Sequence, residues 1–216
     1  MLDKVGFIES YIFDEKVSKK EQMERFNIAW DIRYNFESIM LNMRKKLFKT
    51  VRDIIKSSKK FEGYYIKDLG FLEGEKYQPL CIYKKIWIFN GDALLSYSIE
   101  AESNGFINVF FGIRKQDGDK GVPFKGSYPD NKKLKEFVDK IRDQFRGKFS
   151  DWWIVYKNFD SYYTKTWEQK LYMEIIEKGY QGVAEYYFNK LLQLKESTEH
   201  LIDEFVKLYD NAVKQG

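Results

Sequence analysis

The clearest pattern in the sequence is an alternation of apolar and polar residues between Tyr83 and Lys115. In Leu95–Glu102 every second residue is apolar and the others are Ser or Glu. In Ile107–Arg114 the odd-numbered positions are all branched or aromatic. A period of two is typical of half-buried antiparallel strands. The segment therefore predicts an antiparallel sheet centred on residues 83–115.

The connection between these two strands decides which residues face each other. A two-residue turn at Asn104-Gly105 would mix the polar and apolar sets, although cross-strand partners share a face. A three-residue loop that begins at Ser103 keeps one face apolar and gives Gly105 the left-handed position at the end of a type I turn with a bulge. We choose the three-residue loop, which pairs Ala101 with Ile107, Ile99 with Val109, Tyr97 with Phe111 and Leu95 with Ile113. The opposite face is then a shallow polar strip of Ser96, Ser98, Glu100, Asn108, Phe110 and Gly112.

A long helix is predicted on each side of this sheet in the sequence. Ser18-Lys19-Lys20-Glu21 matches a capping box, in which Ser and Glu satisfy free backbone N–H groups. The helix from 18 to 57 then has a seam at steps of four and three, at positions 36, 40, 43, 47, 50 and 54. A helix from 183 to 214 has the same spacing from Tyr187 to Ala212. Such seams pack against other helices, so we expect an α+β fold in which the two long helices pack together.

Two shorter helices are predicted from their end signals. Asp130 predicts the N-cap of a helix that ends near Gly147. Thr166 begins a second capping box, for a short helix that ends at Gly179.

Composition narrows the class of protein. The 216 residues, with 18% aromatic and 32% charged residues, fit a single folded domain over residues 1–216. No apolar run approaches the roughly 20 residues of a spanning helix, and the first residues do not resemble a signal peptide. The single cysteine, Cys81, is expected to be a small core residue. With His200 as the one histidine, sites that need two histidines and zinc sites of Cys and His clusters are excluded. We expect a cytoplasmic protein without cofactor, metal or membrane contact.

Basic residues cluster on one stripe of the first long helix. Lys45, Lys49, Arg52 and Lys56 are spaced by three and four residues, and Asp53 is the one acid among them. One interpretation is the solvated face of a surface helix. The other is a site for the phosphate backbone of a nucleic acid or for an acidic protein. The net charge of +4 permits such a partner without requiring one.

An acidic trio, Asp92, Glu100 and Glu102, is the best enzymatic candidate. Nucleases of the PD-(D/E)XK superfamily place one Asp before a hairpin strand and Glu-x-Lys on the next strand. The carboxylates hold a divalent cation, and the Lys positions or activates water. Here Glu102 stands where that Lys would be. The trio is therefore either a degenerate nuclease site or a set of solvated strand carboxylates.

Several short strings carry a resemblance to that superfamily. They are Trp87, Ser98-Ile99-Glu100, Phe111-Gly112-Ile113-Arg114 and Trp152-Trp153. This pattern resembles the region that follows the nuclease domain in some bacterial PD-(D/E)XK-like proteins, over about residues 30 to 180. The resemblance implies an accessory or interaction module of a bacterium or its phage, with a role in phage defence or counter-defence. The nuclease domain has no counterpart in this sequence, so the resemblance does not imply nuclease activity.

The aromatic residues point to binding. Residues 152–156 are typical of a buried strand in which at least one ring of Trp152 and Trp153 fills the core, and the second ring can face outward as a stacking platform or a protein hot spot. We therefore expect a non-catalytic module that binds a macromolecule, with protein ahead of nucleic acid. The candidate binding residues are Lys45, Lys49, Arg52, Lys56, Trp152 and Trp153. The long helices also offer a surface for a homo-oligomer.

Overall fold

The computed structural model describes residues 4–68, 77–89, 91–102, 109–115, 129–159 and 167–214. Contacts divide the chain into two compact units, Met1–Arg44 and Lys45–Gly216. The expectation of a single domain over residues 1–216 stays a prediction.

The elements follow one another in a simple order. The helices are α1 (Lys4–Ile12), α2 (Lys19–Ser57), α3 (Lys132–Phe145) and α4 (Trp167–Lys214). The strands are β1 (Tyr64–Asp68), β2 (Tyr77–Lys84), β3 (Ile88–Phe89), β4 (Asp92–Ala93), β5 (Leu95–Glu102), β6 (Val109–Lys115) and β7 (Trp153–Asn158). Short 3₁₀ turns occupy Lys59–Phe61 and Lys85–Trp87. Among the described helices, none is long and apolar enough to cross a bilayer.

The first unit consists of α1 and the N-terminal part of α2, joined by a short turn. The α2 helix begins as predicted at Ser18, whose Oγ accepts a hydrogen bond from the backbone N–H of Glu21 at 3.2 Å. The Glu21 carboxylate pairs with Arg25 at 2.9 Å. The Arg25 guanidinium also donates to the Tyr11 carbonyl at 2.8 Å and lies over the Tyr11 ring. These contacts hold the end of α1 against the start of α2.

The second unit is built on a five-stranded antiparallel sheet in the order β1-β2-β5-β6-β7. Ile99 pairs with Phe111 and Tyr97 pairs with Ile113. The predicted apolar face is therefore correct, but the predicted register is wrong by two residues. A shift of two keeps every side chain on its face, so the alternation cannot detect it. The predicted loop at Ser103-Asn104-Gly105 lies outside the described residues.

The β5 part of the predicted shallow polar strip is instead buried, whereas Phe110 on β6 is half-buried. Ser96, Ser98 and Glu100 lie on the second face of β5 and are buried there. Their polar atoms have partners, because the two serine Oγ atoms lie 2.7 Å apart and the Glu100 carboxylate accepts from Arg114 at 3.0 Å. Ser98 Oγ also donates to the sulfur of Cys81 at 3.4 Å, which confirms Cys81 as a buried core residue. Pairing lets a polar face be buried at low cost.

The second long helix packs on the sheet and on the end of the first. The Tyr187 ring of α4 stacks on Phe159 at 4.2 Å and meets the Phe48 ring of α2 edge-on at 6.2 Å. Tyr187, Leu191 and Phe205 are fully buried. The predicted α+β class, with its antiparallel sheet and contacting long helices, is confirmed.

One predicted helix end is correct, one is wrong by one residue, and one lies outside the described residues. The N-cap of α3 is Asn131, whose side chain accepts from the backbone N–H groups of Lys133 and Leu134 at 3.0 and 3.3 Å. The prediction of Asp130 was wrong by one residue. Gly179 interrupts α4 with φ 71° and ψ 168°, as predicted. The predicted cap at Thr166 lies outside the described residues.

Candidate protein-binding surface

The part of α2 in the first unit, residues 19–44 and here called α2N, exposes large apolar side chains. Its eight most exposed large apolar residues have exposed fractions from 44% at Ile39 to 69% at Met23. They are Met23, Phe26, Ile28, Trp30, Ile32, Tyr34, Phe36 and Ile39. Exposed apolar side chains in such number on one helix mark an interaction site in soluble proteins.

These residues form two stripes along the helix. Successive helical residues lie about 100° apart, so Met23, Phe26, Trp30 and Tyr34 form one stripe within about 80° of arc. Ile28, Ile32, Phe36 and Ile39 form a second, about 160° from the first. We call them the aromatic stripe and the isoleucine stripe.

Neighbouring rings of the aromatic stripe contact one another. The Phe26 and Trp30 ring centroids lie 5.8 Å apart, and those of Trp30 and Tyr34 lie 5.1 Å apart. Side chains four residues apart meet on one face of a helix. The stripe is therefore a row of contacting rings of the type found at interface hot spots.

Exposed polar side chains lie between the stripes on one side. They are Glu24, Asn27, Asp31, Asn35 and Ser38, which we call the polar edge. The Asn35 amide donates to the Asp31 carbonyl at 2.9 Å. α2N as a whole carries exposed side chains of both signs, with Lys19, Lys20 and Arg33 beside Glu21, Glu24 and Asp31, so it differs from a strongly basic membrane-surface helix.

Of the predicted seam positions of α2, Leu47 is buried, Thr50 and Ile54 are half-buried, and Phe36 is exposed. The most buried side of α2 in the second unit runs instead through Leu47, Val51 and Ile55. The spacing predicted an apolar stripe, but it could not show whether another element covers it. The sequence analysis therefore expected Phe36 to pack against another helix, whereas the structure shows it at the surface.

The predicted basic stripe lies on the second unit. Lys49 and Lys56 are exposed, whereas Lys45 and Arg52 are half-buried. Arg52 also lies 3.7 Å from the Asp53 carboxylate. The stripe therefore presents two exposed cations and two half-buried ones, whereas the sequence suggested four exposed cations.

The acidic trio is distributed over two sheets. Asp92 pairs with Phe89 in the separate β3–β4 ribbon, whereas Glu100 and Glu102 lie on β5. Glu100 is buried and forms an ion pair with Arg114. The side chains of Asp92 and Glu102 lie outside the described part of the structure. Among the described residues, no group of three Asp, Glu, His or Cys side chains could hold a metal ion.

The Trp152-Trp153 pair divides between core and surface, as predicted. Trp153 is 5% exposed and Trp152 is 51% exposed. The outer ring of Trp152 is therefore available as a contact on the second unit.

A cluster that the sequence did not reveal joins the sheet to α4. The Glu199 carboxylate accepts hydrogen bonds from Tyr64 at 2.6 Å and from Lys195 at 2.8 Å, and pairs with Lys84. Asp203 accepts from Lys84 Nζ and from the Trp87 indole, each at 2.7 Å. The spacing of Glu199 and Asp203 by four residues was the available signal, since it places both on one helical face.

The charges in this cluster are fixed by hydrogen bonds. Burial alone would raise the pKa of Glu199, but the bonds from Lys195, Lys84 and Tyr64 outweigh it and lower the pKa to about 2. Burial would likewise lower the pKa of Lys84, and its bonds to Asp203 and Glu199 raise it instead. Burial, and then the bond to Glu199, raise the pKa of Tyr64. These groups form hydrogen bonds and ion pairs with one another, which favours a role in stabilising the fold over a role in catalysis.

An open cleft of about 580 Å³ beside the end of α3 offers little for a charged ligand. Its charged lining residues, Asp139, Arg142, Asp143 and Arg146, balance in sign. Arg142 donates to the Ile154 carbonyl at 2.9 Å and lies 3.9 Å over the Phe149 ring.

Comparison of the chain with protein-family models, with curated proteins and with solved structures finds no match.

Proposed function

We propose that this protein is a non-catalytic interaction module that binds a protein partner through α2N. The observation that carries the proposal is the pair of exposed apolar stripes on that helix. Trp and Tyr, both present in the aromatic stripe, are the residue types most enriched at interface hot spots. Nucleic acids are bound chiefly through phosphate contacts from Lys and Arg, and neither residue occurs in the stripes.

Binding of nucleic acid is the second candidate function. It is favoured by the exposed Lys49 and Lys56 with their half-buried neighbours Lys45 and Arg52. Such binding would weaken steeply with added salt, because counterions released from the phosphates drive it. The degenerate nuclease finds less support, since Glu100 is buried against Arg114.

The remaining parts of the proposal rest on the sequence. The unpaired, buried Cys81 favours the reducing cytoplasm as the compartment. A role in phage defence or counter-defence is carried by the family resemblance alone.

The test is an affinity pull-down from host lysate, with and without nuclease treatment. The bait is the wild-type chain, an aromatic-stripe variant (Phe26→Gln, Trp30→Gln and Tyr34→Gln) or a basic-stripe variant with Glu at 45, 49, 52 and 56. We expect the aromatic-stripe variant to lose the partner, because hot-spot side chains each contribute about 2 kcal/mol or more. The basic-stripe variant and nuclease treatment should leave it bound.

A polar-edge variant (Asn27→Gln and Asn35→Gln) is the matched control, since it changes the same helix without touching a stripe. Loss of the partner after nuclease treatment and in the basic-stripe variant, with the aromatic-stripe variant unaffected, would transfer the function to nucleic-acid binding.

A further inference from the structure

We infer that the protein bound at α2N is a second copy of this chain, and that each α2N helix is buried between two such copies. This inference rests on the proposed function, because it names the partner of the same surface.

The angle between the stripes requires two neighbours. The aromatic and isoleucine stripes lie about 160° apart around the helix axis. A neighbouring helix packs on one side of another helix, at an interaxial distance of about 8–10 Å. One neighbour can therefore cover only one stripe, and a helix that is apolar on opposite sides is typical of the interior of a helical assembly.

The exposed area fits a stable assembly. Each of the eight stripe residues is about half exposed. At roughly 100 Å² for each side chain, the stripes offer roughly 800 Å² per chain. Because the stripes lie on opposite sides, each neighbour receives roughly 400 Å² from a chain, and only both contacts together bury the roughly 800 Å² that one partner contributes to a standard protein–protein interface. Each stripe alone lies within the range of the largest apolar patch on a typical monomer, about 300–600 Å², which is often functional.

The composition of the stripes favours a permanent partner. Met, Phe, Trp, Tyr and Ile supply all eight positions, and none is charged. Transient interfaces are about as polar as the rest of a protein surface, whereas homodimer and obligate interfaces are more apolar. A surface that must be covered permanently needs a partner that is present wherever the chain is made. A second copy meets this condition.

A lipid surface fits the helix less well. Membrane-surface helices carry Lys and Arg on their polar side, which attract anionic headgroups. The exposed charges of α2N instead balance in sign, with Glu21, Glu24 and Asp31 beside Lys19, Lys20 and Arg33. Its two stripes also point to opposite sides, whereas a bilayer covers one.

The experiment is light scattering coupled to gel filtration of the full-length chain at micromolar concentration. We expect a mass above that of two chains of 26.0 kDa. The variants are the aromatic-stripe triple variant, an isoleucine-stripe triple variant (Ile28→Gln, Ile32→Gln and Phe36→Gln) and the polar-edge control. Either stripe variant should reduce the assembly to two chains if each stripe pairs with itself, or to one chain if the two stripes pair in a ring. The control should leave the mass unchanged.

A second measurement covers the case in which a stripe variant does not fold. Cys81 is buried and is the single native cysteine. A bismaleimide should therefore link Ile32→Cys copies to one another if the isoleucine stripe pairs with itself, or to Trp30→Cys copies if the two stripes pair in a ring. It should link Asn27→Cys copies, on the polar edge of the same helix, in neither case. Linking of Asn27→Cys as efficient as that of the stripe variants would contradict the inference.

The outcomes also separate this inference from the proposed function. A wild-type chain that is monomeric in solution overturns the inference, including the case in which the monomer sediments with anionic vesicles. If that monomer still captures a different protein through the aromatic stripe, the proposed function stands alone. If it captures none, both fail.

Discussion

At the scale of single residues, Glu199 is the clearest link between hydrogen bonding and stability. Its carboxylate is held by Tyr64, Lys84 and Lys195, and its pKa is lowered to about 2 from 4.5. Between these two values the unfolded chain binds more protons than the folded chain. This group therefore contributes stability above pH 4.5, and the contribution is lost as pH falls towards 2.

We expect Glu199→Gln to lower the free energy of unfolding at neutral pH and to flatten its pH dependence below pH 4.5. Urea unfolding at a series of pH values measures both effects. Glu196→Gln is the control, because Glu196 is exposed and lies 3.5 Å from the exposed Lys60. Exposed pairs contribute little. An equal change in the two variants would show that the cluster does not stabilise the fold.

Gly179 has a backbone conformation that would strain any other residue, although no neighbouring atom crowds it. A Cβ at this position would meet no atom within 4 Å, yet its φ is 71° and its ψ is 168°. Only glycine adopts that region readily.

Gly179→Ala should therefore lower the free energy of unfolding by roughly 1–3 kcal/mol, measured by urea or thermal unfolding. Gly182→Ala serves as comparison. Gly182 has a helical backbone, where Ala is favoured over Gly by roughly 1 kcal/mol, although its Cβ would lie 3.1 Å from that of Lys178. The loss at Gly182 should be the smaller one, and similar losses at the two positions would contradict the strain at Gly179.

At the scale of elements, the caps of α3 give a test within one turn. Asn131 accepts two backbone hydrogen bonds, whereas the neighbouring Asp130 is exposed outside the helix. Asn131→Ala should lower the free energy of unfolding by about 1 kcal/mol. Asp130→Ala should change it by less than about 0.5 kcal/mol, as exposed substitutions usually do. Urea unfolding measures the difference, as a shift of the midpoint with an unchanged dependence on urea concentration. A larger loss of stability in Asp130→Ala would identify Asp130 as the N-cap, as the sequence predicted.

The elements also show how far the sequence could lead. Alternation in β5 and β6 was enough to assign faces, because a period of two is a local property. It could not fix the register, since a shift of two residues leaves the faces unchanged. Helical spacing likewise predicted apolar stripes in α2 and α4. Burial of Leu47 and exposure of Phe36 follow from which neighbours are present, and spacing contains no information on neighbours.

At the scale of the whole molecule, the candidate site is the part that the sequence assigned least well. The basic residues 45, 49, 52 and 56 drew attention because charge is visible in a sequence. The exposed stripes were hidden, since Trp30 or Ile32 on a helix has the same pattern whether it faces a core or solvent. The polar cluster around Glu199 was hidden for another reason, because its members come from distant strands and α4.

The topology of the second unit has a consequence for synthesis. All five strands of the sheet precede α4 in the chain, and α4 supplies Tyr187, Leu191 and Phe205 to the core against the sheet. A ribosome adds about 5–20 residues per second, so the 48 residues of α4 take roughly 2–10 s to make. Throughout that interval the nascent sheet has an uncovered apolar face, which is the surface that chaperones recognise. Until the last helix has been made, the growing chain has nothing of its own to cover the face on which that helix will pack.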